Sequence, residues 1–378
     1  MKILQFCQLY PPAIYGGGEY LFFQFAKELV REGHEVSIIT QKLQGTLAFE
    51  EIDGIKVYRV GKSVNYKGHL NMNIIDNLSF VFSSFRKGLE IAGSYDIIHS
   101  NTYAPSISAR IVSKLLRIPL VISVFDVYSN KGFWKNWSKQ KEINKKISFI
   151  GPLIEKLILK FKPNKFHTIS NASFNDLISA GVNKKIISNI PCAIDLEEYK
   201  VKKTSIKNQF CFIGRHVFYK NIDVIIKAMP FIIKRNPLIK FIIAGDGPMK
   251  NIWEKLAVEL KVNKNIIFTG RINHEEKLKL INESKFVVNP SVVEGFGIVL
   301  LESWALDKPV IVSDVPPLNE LVNRKNGYLV NAYDVNAWAD AINLMLKQKP
   351  KNLRKFAEKY DIRKITPLLI KLFQSIIA

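Results

Sequence analysis

One unit recurs along this sequence: a short apolar run, a turn rich in glycine or proline, then an amphipathic stretch of helical period. Its first copy is complete. Residues 3–9 read as a strand, and 10–18 as a loop with Pro11, Pro12 and the run Gly16-Gly17-Gly18. Residues 19–31 read as a helix with Leu21, Phe22, Phe25, Ala26, Leu29 and Val30 at helical spacing, and 36–40 as the next strand. A strand, a helix and a second strand are joined most simply as a parallel crossover. Glycines at the strand's C-terminal end let a ligand approach the backbone.

The alternation runs twice. Strand material at 52–60 surrounds a turn at Asp53-Gly54, and further strands are expected at 95–99, 120–125, 166–170 and 186–190. Between them, 73–89 reads as a helix with Leu78, Val81, Phe82 and Phe85 on one face, followed by helices at 105–116 and 172–180. The segment 195–208 is polar and lysine-rich and reads as a linker. Strands then recur at 210–213, 239–244, 266–269, 286–289, 310–313 and 328–330, with helices between. This predicts an α/β protein of two Rossmann-like domains, each a parallel sheet with helices on both faces. A length of 378 residues suits two cores better than one. The expected domains are 1–195 and 209–363.

The formal net charge is +22, which calls for an anionic partner. Residues 131–165 hold ten lysines against two glutamates, with Phe133, Trp134 and Trp137 interleaved. Lysine beside tryptophan suits a lipid headgroup region, so an anionic membrane surface is an expected partner. A helix from Pro152, with Leu153, Ile154, Leu157, Ile158 and Phe161 on its apolar face, is expected to pack on the core. No run of about 18 apolar residues is present to span a bilayer. The start resembles a first strand rather than a signal peptide, and Cys7, Cys192 and Cys211 follow no metal or disulfide spacing. The expected location is therefore the cytoplasm, at the inner face of the cell membrane, with reduced thiols. A basic nucleic-acid-binding protein shares the charge, but there is no RNP, helix-turn-helix or zinc signature, so no nucleic-acid partner is expected.

The stretch carrying the chemistry is 286–304. An apolar run ends at Val288, a loop contains Glu294-Gly295-Phe296-Gly297, and a helix pattern starts near Ile298. Free backbone N–H groups and the positive end of the helix dipole make that turn an anion site. Glu302 falls about five residues, roughly 7 Å, into the helix. That is near the span from a diphosphate to its ribose. Gly214-Arg215 closes the strand at 210–213, and Lys220 follows. Two cations there can neutralise a diphosphate leaving group.

Together these residues resemble the retaining GT-B glycosyltransferases of family GT4, the glycosyl transferases group 1. The most specific match is Pro290-Ser291 through Glu294-Gly295-Phe296-Gly297 to Glu302, a Glu-x7-Glu pattern. Supporting matches are Gly214-Arg215 with Lys220-Asn221, Ala244 to Pro248, Gly270-Arg271-Ile272, Lys308 to Ile311, Asn326 to Val330 and Arg31 to Val36. The resemblance implies that a nucleotide-sugar donor, UDP- or GDP-linked, gives up its sugar to a glycan or lipid-linked acceptor. It implies that Arg215 and Lys220 hold the diphosphate, Glu302 the ribose, and backbone near Arg271 and Ile272 the base. Glu294 would contact the transferred sugar, with N–H groups of Gly295, Phe296 and Gly297 at the sugar and Ile298 and Val299 at the phosphates. Gly16 and Gly17 would approach phosphate and acceptor across a cleft between the domains, and a helix from about 364 to 378 would return to the first domain. No metal and no cofactor is implied, and the sequence has neither an Asp-x-Asp nor a cysteine–histidine cluster. A histidine usual in the family is replaced by Phe125, with Asp126 beside it, so His99 or Asp126 is expected to cover part of its role. Two further departures are Cys192-Ala193 where the family has Asn-Gly, and Pro316-Pro317 before Glu320. A nucleotide-sugar epimerase on the same fold is the alternative enzyme.

Overall fold

The computed structural model describes the chain except residues 14–15, 66–73, 129–133, 135–144, 202–204, 349 and 378, and the side chains of 145–148. It forms two compact units. Unit 1 is Met1–Ala193 with Ile362–Ala378, and unit 2 is Ile194–Asp361. The polar segment 195–208 thus lies in unit 2.

In unit 1 the strands are β1 (Lys2–Phe6), β2 (Glu35–Leu43), β3 (Phe49–Ile52), β4 (Ile55–Val64), β5 (Ile97–Asn101), β6 (Leu120–Ser123), β7 (Lys165–Thr168) and β8 (Ile187–Asn189). Their order in the sheet is β3-β4-β2-β1-β5-β6-β7-β8. Only the β3–β4 hairpin is antiparallel among the described pairs. It turns at Asp53 and Gly54, both at positive φ (51° and 77°), which matches the right-handed twist of paired strands. The helices are α1 (Gly17–Arg31), α2 (Ile74–Ile91), α3 (Ala104–Leu116), α4 (Lys145–Leu159) and α5 (Asn171–Ser179). From β1 the chain steps one way to β2 over α1; from β4 onward it steps the other way over α2, α3, α4 and α5. Right-handed crossovers therefore put α1 on one face of the sheet and the other four on the opposite face.

The apolar face expected to pack on the core is corrected for α4, and on α2 the face read from the spacing is largely exposed. On α2 the buried residues are Asp76, Phe80, Ser84 and Gly88, while Leu78 and Phe82 are exposed. On α4, Ile158 is buried but Leu153 and Leu157 are exposed. The apolar periodicity predicted each helix but not which side meets the sheet.

Unit 2 is fully parallel among its described pairs. Its strands β9 (Gln209–Ile213), β10 (Lys240–Ala244), β11 (Ile266–Gly270), β12 (Val287–Asn289), β13 (Val310–Ser313) and β14 (Gly327–Val330) stand in the order β11-β10-β9-β12-β13-β14. Helices α6 (Ile222–Arg235), α7 (Lys250–Glu259), α8 (His274–Glu283), α9 (Ile298–Ala305), α10 (Leu318–Leu321), α11 (Val335–Lys347) and α12 (Arg354–Ala357) connect or follow them. Phe210 stacks between Phe241 and Phe286 at 4.7 and 5.1 Å, and Trp253 and Trp338 complete the core. The direction of strand addition reverses between β9 and β12. Loops leaving the carboxyl ends of those two strands open a crevice, where sheets of this kind bind ligands. The last helix, α13 (Ile362–Ile377), packs with unit 1, its Phe373 ring 5.2 Å from that of His99.

Candidate active site

The two loops at the switch point of unit 2 are those singled out in the sequence. After β9 come Gly214 and Arg215, then a short turn to Lys220 and the start of α6. After β12 come Asn289 to Gly297, then α9. Val292 N–H donates to the Tyr219 carbonyl at 2.8 Å, tying one loop to the other. Across that tie, Lys220 Nζ lies 2.5 Å from Glu294 Oε2, with each side chain only 14% exposed. Arg215 Nη2 donates to the Tyr219 hydroxyl at 2.5 Å. The assigned cations and the assigned sugar carboxylate therefore form one cluster.

Gly297 caps α9 with φ 95°, a left-handed conformation that glycine adopts freely. A Cβ there would meet Leu318 Cδ2 at 2.9 Å. The N–H groups of Ile298 and Val299 head the helix, where no carbonyl of an earlier turn exists to receive them. Phe296 is buried and packs edge-on against Tyr360, 5.6 Å between ring centres. Beside this, the loops after β9 and β10 interlock. Gly214 N–H donates to Ala244, His216 N–H to Asp246, and Met249 N–H to His216. A Cβ on Gly245 would stand 1.9 Å from the Gly214 carbonyl oxygen, so the packing admits only glycine. Arg271 and Ile272 follow β11, with Arg271 exposed.

Glu302 is the fifth residue of α9 and is buried, at 4% exposure. Its Oε1 accepts from Tyr199 Oη at 2.9 Å and Lys277 Nζ at 2.6 Å. Neither partner was foreseen. Tyr199 sits in the supposed linker, where Arg354 holds the backbone by donating to the Leu196 and Tyr199 carbonyls. Lys277 is one lysine of many, on α8. Asn273 and Glu276 close a capping box at the start of that helix.

In unit 1, His99 does not stand at a strand end as expected. Strand β5 continues to Asn101, so His99 lies inside the sheet, fully buried. Both its nitrogens are engaged: Nδ1 with Gln5 Nε2 at 3.3 Å, Nε2 with Ser123 Oγ at 2.8 Å. Ser123 Oγ continues to His167 Nδ1 at 2.8 Å, and His167 Nε2 to the Ile190 carbonyl at 3.0 Å. Burial holds His99 well below the usual histidine range and His167 at about 4, so both rings are neutral. Phe125 is buried beside Phe22 and His167, and a Cβ on Gly18 would be 3.0 Å from its ring. Asp126 is half-buried and accepts from Tyr128 Oη at 3.0 Å. Gly16 and Gly17 open α1, where Gly16 N–H donates to Glu19 Oε2 at 3.0 Å. Of the aromatic residues expected at a membrane, Phe133 and Trp137 lie outside the described residues. Trp134 packs on its own unit, donating to Glu155 at 3.4 Å and edge-on to Tyr103 and Tyr128. Cys7, Cys192 and Cys211 are buried free thiols. Among the described residues, no three His, Cys, Asp or Glu side chains gather as for a metal ion.

Two parallel-sheet units, with Arg215, Lys220, Glu294 and a glycine-capped helix start gathered at the switch point of the second, define the class of GT-B glycosyltransferases. Residues 195–361 match the family described as glycosyl transferases group 1, and 15–198 match glycosyltransferase family 4. An uncharacterized glycosyltransferase of Methanocaldococcus jannaschii is 30% identical, over 87% of this chain and 85% of that protein. The alpha-monoglucosyldiacylglycerol synthase of Streptococcus pneumoniae is 25% identical, over 86% of this chain and 74% of that protein. Among solved structures, Anabaena HepE in complex with UDP and glucose superposes with a TM-score of 0.76 and 19% identity, covering 99% of this chain and all of that one. The chain belongs to glycosyltransferase family 4 and is a sugar-transferring enzyme.

Proposed function

We propose that the enzyme transfers a hexose, with retention, from a UDP- or GDP-sugar to a glycan or lipid-linked acceptor. The observation that carries this is the cluster at the switch point of unit 2: Arg215, Lys220, Glu294 and the glycine-capped head of α9 converge there. Arg215, Lys220 and the N–H groups of Ile298 and Val299 bind the diphosphate and stabilise the charge that grows on it as the glycosidic bond breaks. Glu302 takes the ribose hydroxyls, and backbone near Arg271 and Ile272 takes the base. Glu294 turns to the hydroxyls of the departing sugar, where positive charge develops, and Lys220 is released to phosphate as it does so. The leaving phosphate then serves as the base for the acceptor hydroxyl on the same face. No metal or cofactor enters this scheme. UDP and glucose in HepE support the donor class, and the diacylglycerol product named for the pneumococcal relative supports a lipid acceptor. An acceptor in the membrane puts the enzyme at an anionic lipid surface in the cytoplasm.

A donor screen tests the proposal. Nucleoside diphosphate should be released from one UDP- or GDP-sugar only when a lipid extract or glycan is added. Nucleotide released at full rate without any acceptor would favour an epimerase instead.

A further inference from the structure

Three successive helices of unit 1 carry large apolar side chains on their outer faces as well as in the core. On α2 the exposed residues are Ile75, Leu78, Phe82, Arg86, Leu89 and Glu90, with Leu78 63% and Phe82 61% exposed. On α3, Ile111, Leu115 and Leu116 are exposed while Ser106, Ser108, Ala109 and Ser113 are buried. On α4, Phe149 is 77% and Leu153 59% exposed, with Leu157 one turn on, while Gly151 and the carboxylate of Glu155 are buried. Spacings of three, four and seven residues keep the apolar positions of α2 and of α4 each in a single stripe. Since α2, α3 and α4 share one face of the sheet, all the stripes lie on the outer surface of one layer.

The small inner residues have a packing reason. Ser84 Oγ meets Ser108 Oγ at 2.8 Å, and a Cβ on Gly88 would be 2.8 Å from Val112, so the helices approach closely. That explains the inner faces and leaves the outer ones unexplained. Single exposed apolar residues are ordinary, but periodic stripes on neighbouring helices make a patch, and patches mark docking surfaces. Exposed Arg86, Lys114, Arg117, Lys156 and Lys160 border the stripes. The acidic residues of these three helices are Asp76 and Glu155, both buried, and Glu90. Apolar side chains at the centre and cations at the edge are the chemistry of a helix lying in an anionic lipid interface. Pairing with a second copy would set these cations against one another. No helix among the described residues is long and apolar enough to cross a bilayer.

We infer that the outer face of α2, α3 and α4 seats in the surface of an anionic bilayer. This deepens the proposed function by naming where a lipid-linked acceptor is met, and it stands on residues outside the donor cluster.

Sedimentation of the full chain with vesicles tests it, using phosphatidylcholine alone and phosphatidylcholine with phosphatidylglycerol. The parent should bind the acidic vesicles preferentially. Lys156→Gln with Lys160→Gln should lower partitioning about thirty-fold at low salt, from about 1 kcal/mol per lysine, and little at high salt. Leu78→Ser with Phe82→Ser, and separately Leu153→Ser with Leu157→Ser, should lower it roughly tenfold at either salt. These side chains are exposed, so the denaturant midpoint of unit 1 should match the parent and confirm folding. Apolar variants that sediment like the parent would overturn the inference. So would a parent that ignores acidic vesicles, or one that is a dimer which these same variants dissociate. Vesicle binding that persists while no lipid acceptor is glycosylated would instead defeat the proposed acceptor and leave this surface standing.

Discussion

Glu302 shows how a buried carboxyl group is partnered: one oxygen takes both a lysine and a tyrosine hydroxyl. Removing Lys277 takes one of two partners from a buried oxygen, so Lys277→Met should destabilise unit 2 by about 2 kcal/mol in denaturant titration. Adding Glu302→Gln should recover part of the loss, because a neutral amide does not need the cation. At the neighbouring cluster, Arg215→Ala or Lys220→Ala should each weaken nucleoside-diphosphate binding by about 1.5–3 kcal/mol, read by calorimetry. Glu294→Gln should leave that affinity largely intact and lower turnover at saturating donor; unchanged turnover would remove Glu294 from the reaction. Glu294 and Glu302 were legible because their spacing sits inside a strand–glycine–helix signature. Tyr199 and Lys277 were not, since they reach Glu302 from 103 and 25 residues away and look ordinary where they stand. His99 misled because its strand runs two residues further than the apolar pattern did.

At the level of elements, the glycine turns carry the site. Gly297→Ala would force an alanine to a φ of 95° with its Cβ against Leu318. A loss of about 1–2 kcal/mol in stability is expected, the usual cost of a left-handed L-residue. Diphosphate affinity should fall with it, because the head of α9 must shift; calorimetry showing stability lost but affinity kept would separate the loop from binding. Strand order could be inferred only as parallel from the alternation, yet that sufficed to put Gly214 and Glu294 at strand ends. The orientation of α2 and α4 was not legible. An apolar stripe tells that a helix has two unlike faces, and here the small residues of Ser84 and Gly88 chose the inner one by letting the helix pack close.

Across the whole molecule, unit 1 buries two neutral histidines in one hydrogen-bonded chain. In the unfolded chain each titrates near 6.5. Below that pH the unfolded state takes up protons that folded His99 and His167 refuse, so stability complete above about pH 6.5 is lost as pH falls toward His167's value of about 4. For His167 the loss between pH 7 and pH 5 should be roughly 2 kcal/mol, from 1.36 kcal/mol per pH unit below about 6.5, and His99 adds to it in the same direction. Denaturant unfolding of unit 1 at the two pH values measures it, and equal stability would mean the rings are protonated when folded.

The return of α13 to unit 1 has a consequence for how the molecule is made. Residues 194–361 are contiguous, whereas unit 1 needs Leu369 and Phe373, buried with it, from the far side of that insertion. A nascent chain emerges in order, and contiguous units fold as they appear. The half translated first is therefore the half completed last: β1 to β8 leave the ribosome early and wait, without the helix that covers α1, while residues 194–361 are synthesised and fold.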